Sequence, residues 1–162
     1  MGNIDLFYLL ITVFGLGIGV ILAVALSNNV VAGLNQSVGG SNVYIQKAAA
    51  DVNATFLLFD VAIVELFFGL SLLSIGTAFL IRSHPIFYFF NLIAIIIVMA
   101  VAPSISNAFF DFISNPSIAS TATIFPNTII LFENLPLFLL IISILIAVAT
   151  LAKGGSQTVD AL

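Results

Sequence analysis

Four long apolar stretches decide what this chain can fold into. Each is close to or above the roughly 20 residues that an α-helix needs to cross the hydrocarbon core of a bilayer. We expect helices, because a spanning element must satisfy its own backbone hydrogen bonds and these runs lack the alternating pattern of barrel strands. The predicted spans are residues 4–26, 56–81, 86–112 and 135–152. The sequence therefore predicts an all-α integral membrane protein, with four transmembrane helices in a single membrane domain formed by residues 1–162.

Composition supports this class and excludes several kinds of site. Of the 162 residues, 62% are hydrophobic and 6% are charged, whereas about a quarter of the residues in a soluble domain are charged. The chain has no cysteine and a single histidine, His84, which excludes thiolate chemistry, cysteine-based metal sites and a His-rich metal site. Three Lys and Arg residues in total are too few for a nucleic-acid-binding patch. We therefore expect no metal, no cofactor, no catalytic residues and no nucleic-acid partner.

The later connections differ in length. Residues 82–85, RSHP, form a tight turn, in which Ser83 can cap the third helix and Pro85 occupies its first turn. Helices two and three are therefore predicted to form an antiparallel hairpin. The connection 113–134 is long and rich in Ser, Thr, Asn and Pro, and its segment 128–133 is predicted to be a short interfacial helix or a loop.

The first connection indicates that the second helix is unusually long. Residues 27–40 are rich in turn-forming residues and are predicted to be irregular. From Val43 onward no Gly or Pro interrupts the sequence before the membrane span, so one continuous helix of about 40 residues is expected. Its first part, residues 43–55, would extend on the order of 20 Å beyond the bilayer at 1.5 Å per residue. This extension has an apolar face, which needs a partner in the chain's own loops or in another chain.

Basic residues predict the orientation. Arg82 and Lys153 lie on the same side of the membrane as the N-terminus, and Lys47 lies on the other side. The positive-inside rule therefore places both termini in the cytoplasm or interior.

Two acids, Asp60 and Glu65, lie within the second apolar stretch. Counting about 20 residues back from Arg82 puts Asp60 at the outer interface, where we expect its carboxylate to touch water. Glu65 lies roughly 7 Å deeper and about 140° around the helix, so the two acids do not share a face. Both are possible proton or ion sites, because acids within membrane spans are rare.

Glu65 shares a helix face with two glycines, Gly69 and Gly76. Because glycine allows helices to approach closely, this face is predicted to pack against a neighbouring helix. Pro103 on the third helix cannot donate a hydrogen bond to the carbonyl of Met99, which leaves an acceptor for a protonated Glu65. In this interpretation the acid holds helices together, and in the alternative it is a proton or cation site.

A second glycine pattern, Gly15-x-x-x-Gly19, lies in the first span. It is typical of close helix packing, either within the chain or between chains. It is not a nucleotide-binding loop, because the order of its glycines is wrong and it lies within a membrane span.

These features predict a non-enzymatic protein. We expect a structural or accessory subunit that packs into a larger membrane assembly, such as a virion membrane, a secretion apparatus or an energy-transducing complex. Its expected partners are the lipid bilayer and other membrane subunits, in a homo- or hetero-oligomer. The alternative is a small ion or proton channel that uses Glu65, and a holin-like lysis protein is a third option that the weakly charged C-terminal tail disfavours.

Overall fold

A computed structural model describes residues 2–37, 43–80 and 85–154, and all regular structure in these ranges is helical. The helices are α1 Gly2–Ser37, α2 Val43–Leu80, α3 Pro85–Ile113, α4 Pro116–Ala122, α5 Pro126–Glu133 and α6 Leu135–Gly154. The prediction of an all-helical membrane protein is confirmed. By length and hydropathy, α1, α2 and α3 can each cross a membrane.

The last two helices, α5 and α6, form a bent pair that is either a broken fourth span or a re-entrant loop. α5 and α6 together are long and apolar enough to span, but they meet at an angle of 63°. The break follows from Pro136, which has no N–H and therefore cannot donate to the carbonyl of Phe132 one turn earlier. α6 begins at Leu135, the residue at which the last span is predicted to start, and the segment 128–133 is part of a helix.

The second helix is 38 residues long and begins at Val43, as the sequence predicts. The prediction that residues 27–40 are irregular is wrong over its first part, because α1 continues to Ser37. No proline lies between residues 27 and 37, and Gly33 alone costs a helix only about 1 kcal/mol. Residues 38–42 and 81–84, with the predicted caps and turn, lie outside the described residues.

The extension of α2 finds its partner in the chain itself. α1 and α2 pack against each other more extensively than any other pair of helices. Partly buried positions recur at helical spacing on both extensions, at Asn28, Val31 and Asn35 on α1 and at Ile45 and Ala49 on α2. Because one turn of helix is about 3.6 residues, these positions form one stripe on each helix.

The core lies where α1, α2, α3 and α6 meet, with α4 and α5 packed against it. Its largest fully buried side chains include four phenylalanines, Phe67, Phe109, Phe125 and Phe132. Two of these come from the segment 113–134, which the sequence predicts to be a connection. α4 is absent from the sequence prediction, although Asn115 caps it by accepting from the N–H of Ser117.

Candidate functional site

The carboxylate of Asp60 binds the first turn of α5. Its Oδ2 accepts from the backbone N–H of Asn127 at 3.1 Å and from the Asn127 side-chain amide at 2.8 Å. Its Oδ1 accepts from the backbone N–H of Thr128 at 2.7 Å. Asp60 is only 3% exposed and Thr128 is buried, whereas Asn127 is exposed, so the contact lies at the edge of the core.

α5 needs this acid because its own sequence provides no cap. Phe125 occupies the N-cap position and makes no side-chain hydrogen bond. The first backbone N–H groups of a helix have no partner within the helix, and a buried N–H without an acceptor is costly. Pro126 has no N–H, so Asn127 and Thr128 carry the first two, and both donate to Asp60. The negative charge also lies at the positive end of the helix dipole.

The expectation that Asp60 touches water at the membrane rim is therefore wrong. The segment that precedes α6 folds back against α2 and covers the carboxylate. As a proton or ion site Asp60 would have to give up donors, because both of its oxygens already accept hydrogen bonds. No cluster of three or more possible metal ligands occurs in the described part of the chain.

The far end of α5 is held in a similar way from α3. The hydroxyl of Ser106 donates to the backbone carbonyl of Phe132 at 2.7 Å. This is the carbonyl that Pro136 leaves without its usual intrahelical donor. Side chains of the long helices thus bind both ends of the short helix, which helps to satisfy its terminal backbone groups in an apolar environment.

The Phe132 side chain fixes the same end of α5 by packing. Its ring stacks on Phe109 with centroids 4.1 Å apart and meets the edge of Phe14 at 6.1 Å. Gly17 of α1 lies directly against it, since a Cβ atom at this position would be 3.0 Å from the Phe132 ring. The glycine that α1 uses for close approach is therefore Gly17, inside the motif, which the sequence interpretation missed.

The glycines that the sequence singles out lie in open space within the chain. A Cβ atom added to Gly15 or Gly19 would meet nothing within 4 Å among the described residues, and the same holds for Gly69 and Gly76. None of these four glycines is therefore in close contact with another helix among the described residues. Packing against another chain stays a prediction.

Glu65 also points away from the bundle. It is exposed on α2, and among the described residues neither a hydrogen bond nor an ion pair reaches its carboxylate. The predicted contact with α3 near Pro103 is not formed, and Pro103 is itself exposed. The physical reason is the angle of about 140° between the two acids, because burial of Asp60 against α5 turns Glu65 outward.

The face around Glu65 is apolar and uncovered. Its neighbours at one- and two-turn spacing include Leu58 and Leu72, which are 70% and 69% exposed, and Val61 and Phe68, which are 48% and 43% exposed. Glu65 lies 15 residues before the end of α2 at Leu80, or about 22 Å along the axis at 1.5 Å per residue. This places its carboxyl group within the roughly 30 Å hydrocarbon layer when the end of α2 marks one boundary.

One open groove of about 300 Å³ lies between α1 and α2. The described residues that line it are Tyr8, Leu9, Thr12, Leu70, Leu73, Ser74 and Thr77. Four of the seven carry hydroxyl groups and the other three are leucines. The lining offers hydrogen bonds on an apolar surface, and it brings no acid together with a histidine or an amine.

No protein-family model matches the chain, and no curated protein or solved structure has significant similarity to it.

Proposed function

We propose that this protein is a non-enzymatic structural or accessory subunit of a larger membrane assembly. The observation that carries the proposal is Glu65, a carboxyl group without a described partner on an exposed apolar face of a membrane helix. An ionisable side chain that faces acyl chains is unfavourable by roughly 2.5 kcal/mol or more at the bilayer centre. A neighbouring chain that covers this face would remove that cost.

Two further features support association. The open positions beside Gly69 on α2 and beside Gly15 and Gly19 on α1 allow another helix to approach the backbone. The chain has no cysteine and one histidine, which leaves few groups for nucleophilic or acid–base chemistry. Both features favour a role in packing over a role in catalysis.

The proposed orientation has both termini in the cytoplasm or interior. It follows from the excess of Arg82 and Lys153 over Lys47 on the two sides of the membrane. In this orientation Asp60 and α5 lie toward the outer side.

The alternative function is an ion or proton channel, and the outward position of Glu65 is compatible with it. Because Glu65 faces outward, it would line a pore only where several copies of α2 surround a shared axis. A pathway through a single chain is disfavoured, since Asp60 is occupied by three hydrogen bonds and Glu65 lies outside the bundle.

Proton flux into liposomes separates the two functions. The purified protein is reconstituted with a pH-sensitive dye inside the vesicles, and a potassium gradient with valinomycin drives proton entry. We expect flux no higher than in empty liposomes, both for the natural sequence and for Glu65→Gln. An exposed acid in the extension provides the matched control, Asp51→Asn. Flux that Glu65→Gln abolishes and Asp51→Asn leaves intact would establish the channel and refute the subunit.

A further inference from the structure

The chemistry of Glu65 restricts which partner can cover the exposed face of α2 around it. The face consists of Leu58, Val61, Glu65, Gly69 and Leu72, which fall within a sector of about 80° around the helix at 100° per residue. All five are exposed. We call these residues the Glu65 face.

A partner of this face must bring a hydrogen-bonding group to the depth of Glu65. A carboxyl group in an apolar environment is least costly in its neutral form, which has both a hydroxyl donor and a carbonyl acceptor. Two neutral carboxyl groups can therefore satisfy each other through two reciprocal hydrogen bonds. A single carboxyl group is thus self-complementary, which a lysine or arginine is not.

Symmetry places a second Glu65 at the required position. In a dimer whose two-fold axis lies along the membrane normal, each residue meets its own copy at the same depth. The three basic residues of the chain, Lys47, Arg82 and Lys153, lie near the ends of the predicted spans and do not reach the depth of Glu65. In a symmetric dimer formed through the Glu65 face, the group that meets Glu65 at this depth is therefore the Glu65 of the second copy.

The neighbouring residue allows the approach that such a pair requires. Gly69 lies one turn from Glu65 on the same face, and a Cβ atom there would meet nothing within 4 Å. Two α2 helices can therefore come close enough at this level for short side-chain hydrogen bonds. The remaining residues of the face, two leucines and a valine, provide apolar contact above and below.

We propose that two copies of this chain associate in the membrane through the Glu65 face of α2, with the two Glu65 carboxyl groups hydrogen-bonded to each other. The inference rests on the proposed function, since it names a second copy of the chain as a partner of the subunit.

Disulfide cross-linking tests the geometry directly, because the natural chain has no cysteine. Leu72→Cys places one thiol on the Glu65 face, and Leu73→Cys places one about 100° away on the same helix. The two leucines are similarly exposed in the single chain, at 69% and 62%, so they form a matched pair. Mild oxidation in native membranes should cross-link Leu72→Cys into a dimer and leave Leu73→Cys largely monomeric.

Substitutions of Glu65 then test the carboxyl pair. In the Leu72→Cys background, Glu65→Gln should keep cross-linking within about threefold, because two amides can also form reciprocal hydrogen bonds. Glu65→Leu should weaken association by roughly 5- to 30-fold, in line with about 1–2 kcal/mol for an interhelical polar contact in a membrane. Since Glu65 is exposed in the single chain, neither substitution should alter its fold, which far-ultraviolet circular dichroism would check.

Three results would overturn the inference. Equal cross-linking of Leu72→Cys and Leu73→Cys would show that no specific face is used, and loss of association in Glu65→Gln would indicate a charged partner rather than a second carboxyl group. Absence of cross-linking at Leu72→Cys, in particles that nevertheless contain other proteins, would refute the self-pair and leave the subunit function standing. Specific cross-linking together with Glu65-dependent proton flux would preserve the pair and refute the subunit function.

Discussion

Replacement of Asp60 is expected to release the first turn of α5. Asp60→Ala removes the acceptor of three hydrogen bonds and leaves the N–H groups of Asn127, which is exposed, and of Thr128, which is buried, without their partner. Hydrogen bonds to charged groups contribute about 1.5–3 kcal/mol each, and loss of a helix cap costs about 0.5–2 kcal/mol. The gain from no longer burying a charge offsets part of this sum. We therefore expect the free energy of opening α5 to fall by about 2–4 kcal/mol.

Hydrogen–deuterium exchange of the protein in lipid nanodiscs measures this opening directly. A loss of 2–4 kcal/mol corresponds to roughly 30- to 1,000-fold faster exchange of the amides in the first turn of α5. Asp60→Asn should fall between the natural protein and Asp60→Ala, because its amide oxygen can still accept from Thr128 while its NH₂ group faces the donors of Asn127. Asp51→Ala, an exposed acid on the same helix, is the control and should leave exchange in α5 unchanged. If Asp60→Ala changed exchange no more than Asp51→Ala, the reasoning that α5 depends on this carboxylate would be refuted.

Two further substitutions test the other contacts of α5, each against a matched control. Gly17→Ala should destabilise the protein by about 1–3 kcal/mol, because its new methyl group would lie 3.0 Å from the Phe132 ring, whereas Gly15→Ala meets open space and should be neutral or stabilising by up to about 1 kcal/mol. Thermal unfolding in detergent compares the two, and equal unfolding temperatures would contradict the close contact. Ser106→Ala should cost about 1–3 kcal/mol by removing the hydroxyl that donates to the buried Phe132 carbonyl, while the exposed Ser104→Ala should cost less than 0.5 kcal/mol. Titration with a denaturing detergent measures both, and a mild effect of Ser106→Ala would show that the break at Pro136 is tolerated without this hydroxyl.

The spans were predictable because they depend on local properties of the sequence. Hydropathy and length place the long helices, and the absence of Gly and Pro between Val43 and the start of the second span predicts that α2 is continuous. Proline is favoured in the first turn of a helix, so Pro85 and Pro136 by themselves indicate where α3 and α6 begin. Each of these predictions needs only neighbouring residues.

The capping of α5 by Asp60 could not be predicted in this way. Asp60 and Thr128 are separated by 68 residues in the chain, and no local pattern pairs them. Two signals were nevertheless present in the sequence. One is a proline-initiated segment without a capping side chain before it, at Phe125 and Pro126, and the other is an acid placed within an apolar helix. Together they indicate a helix start that needs a cap and a carboxylate that needs donors.

The two missed helical segments have different explanations. α4 carries a recognisable start signal, because Asn115 is followed by Pro116 and an Asn cap before a proline in the first turn is typical of helices. The continuation of α1 to Ser37 depends instead on packing, since α1 and α2 pack against each other and turn-forming residues such as Asn28 and Asn35 are partly buried on this part of α1. Tertiary contacts here override weak local preferences.

The outward direction of Glu65 could be predicted from the sequence only together with the position of α5. The angle between Asp60 and Glu65 follows from their spacing. Which of the two acids faces the interior depends on where α5 packs. Once Asp60 is placed, the outward position of Glu65 is geometrically required.

The mass of the particle extracted from native membranes tests the proposed subunit role most directly. The membrane is excised with its lipid into polymer-bounded discs, and native mass spectrometry identifies all protein chains in each disc. We expect particles that contain at least two protein chains, so that the protein mass exceeds the 17.1 kDa of one chain. Discs that contain a single copy and no other protein, at native expression levels, would contradict an assembly built on the exposed face of α2.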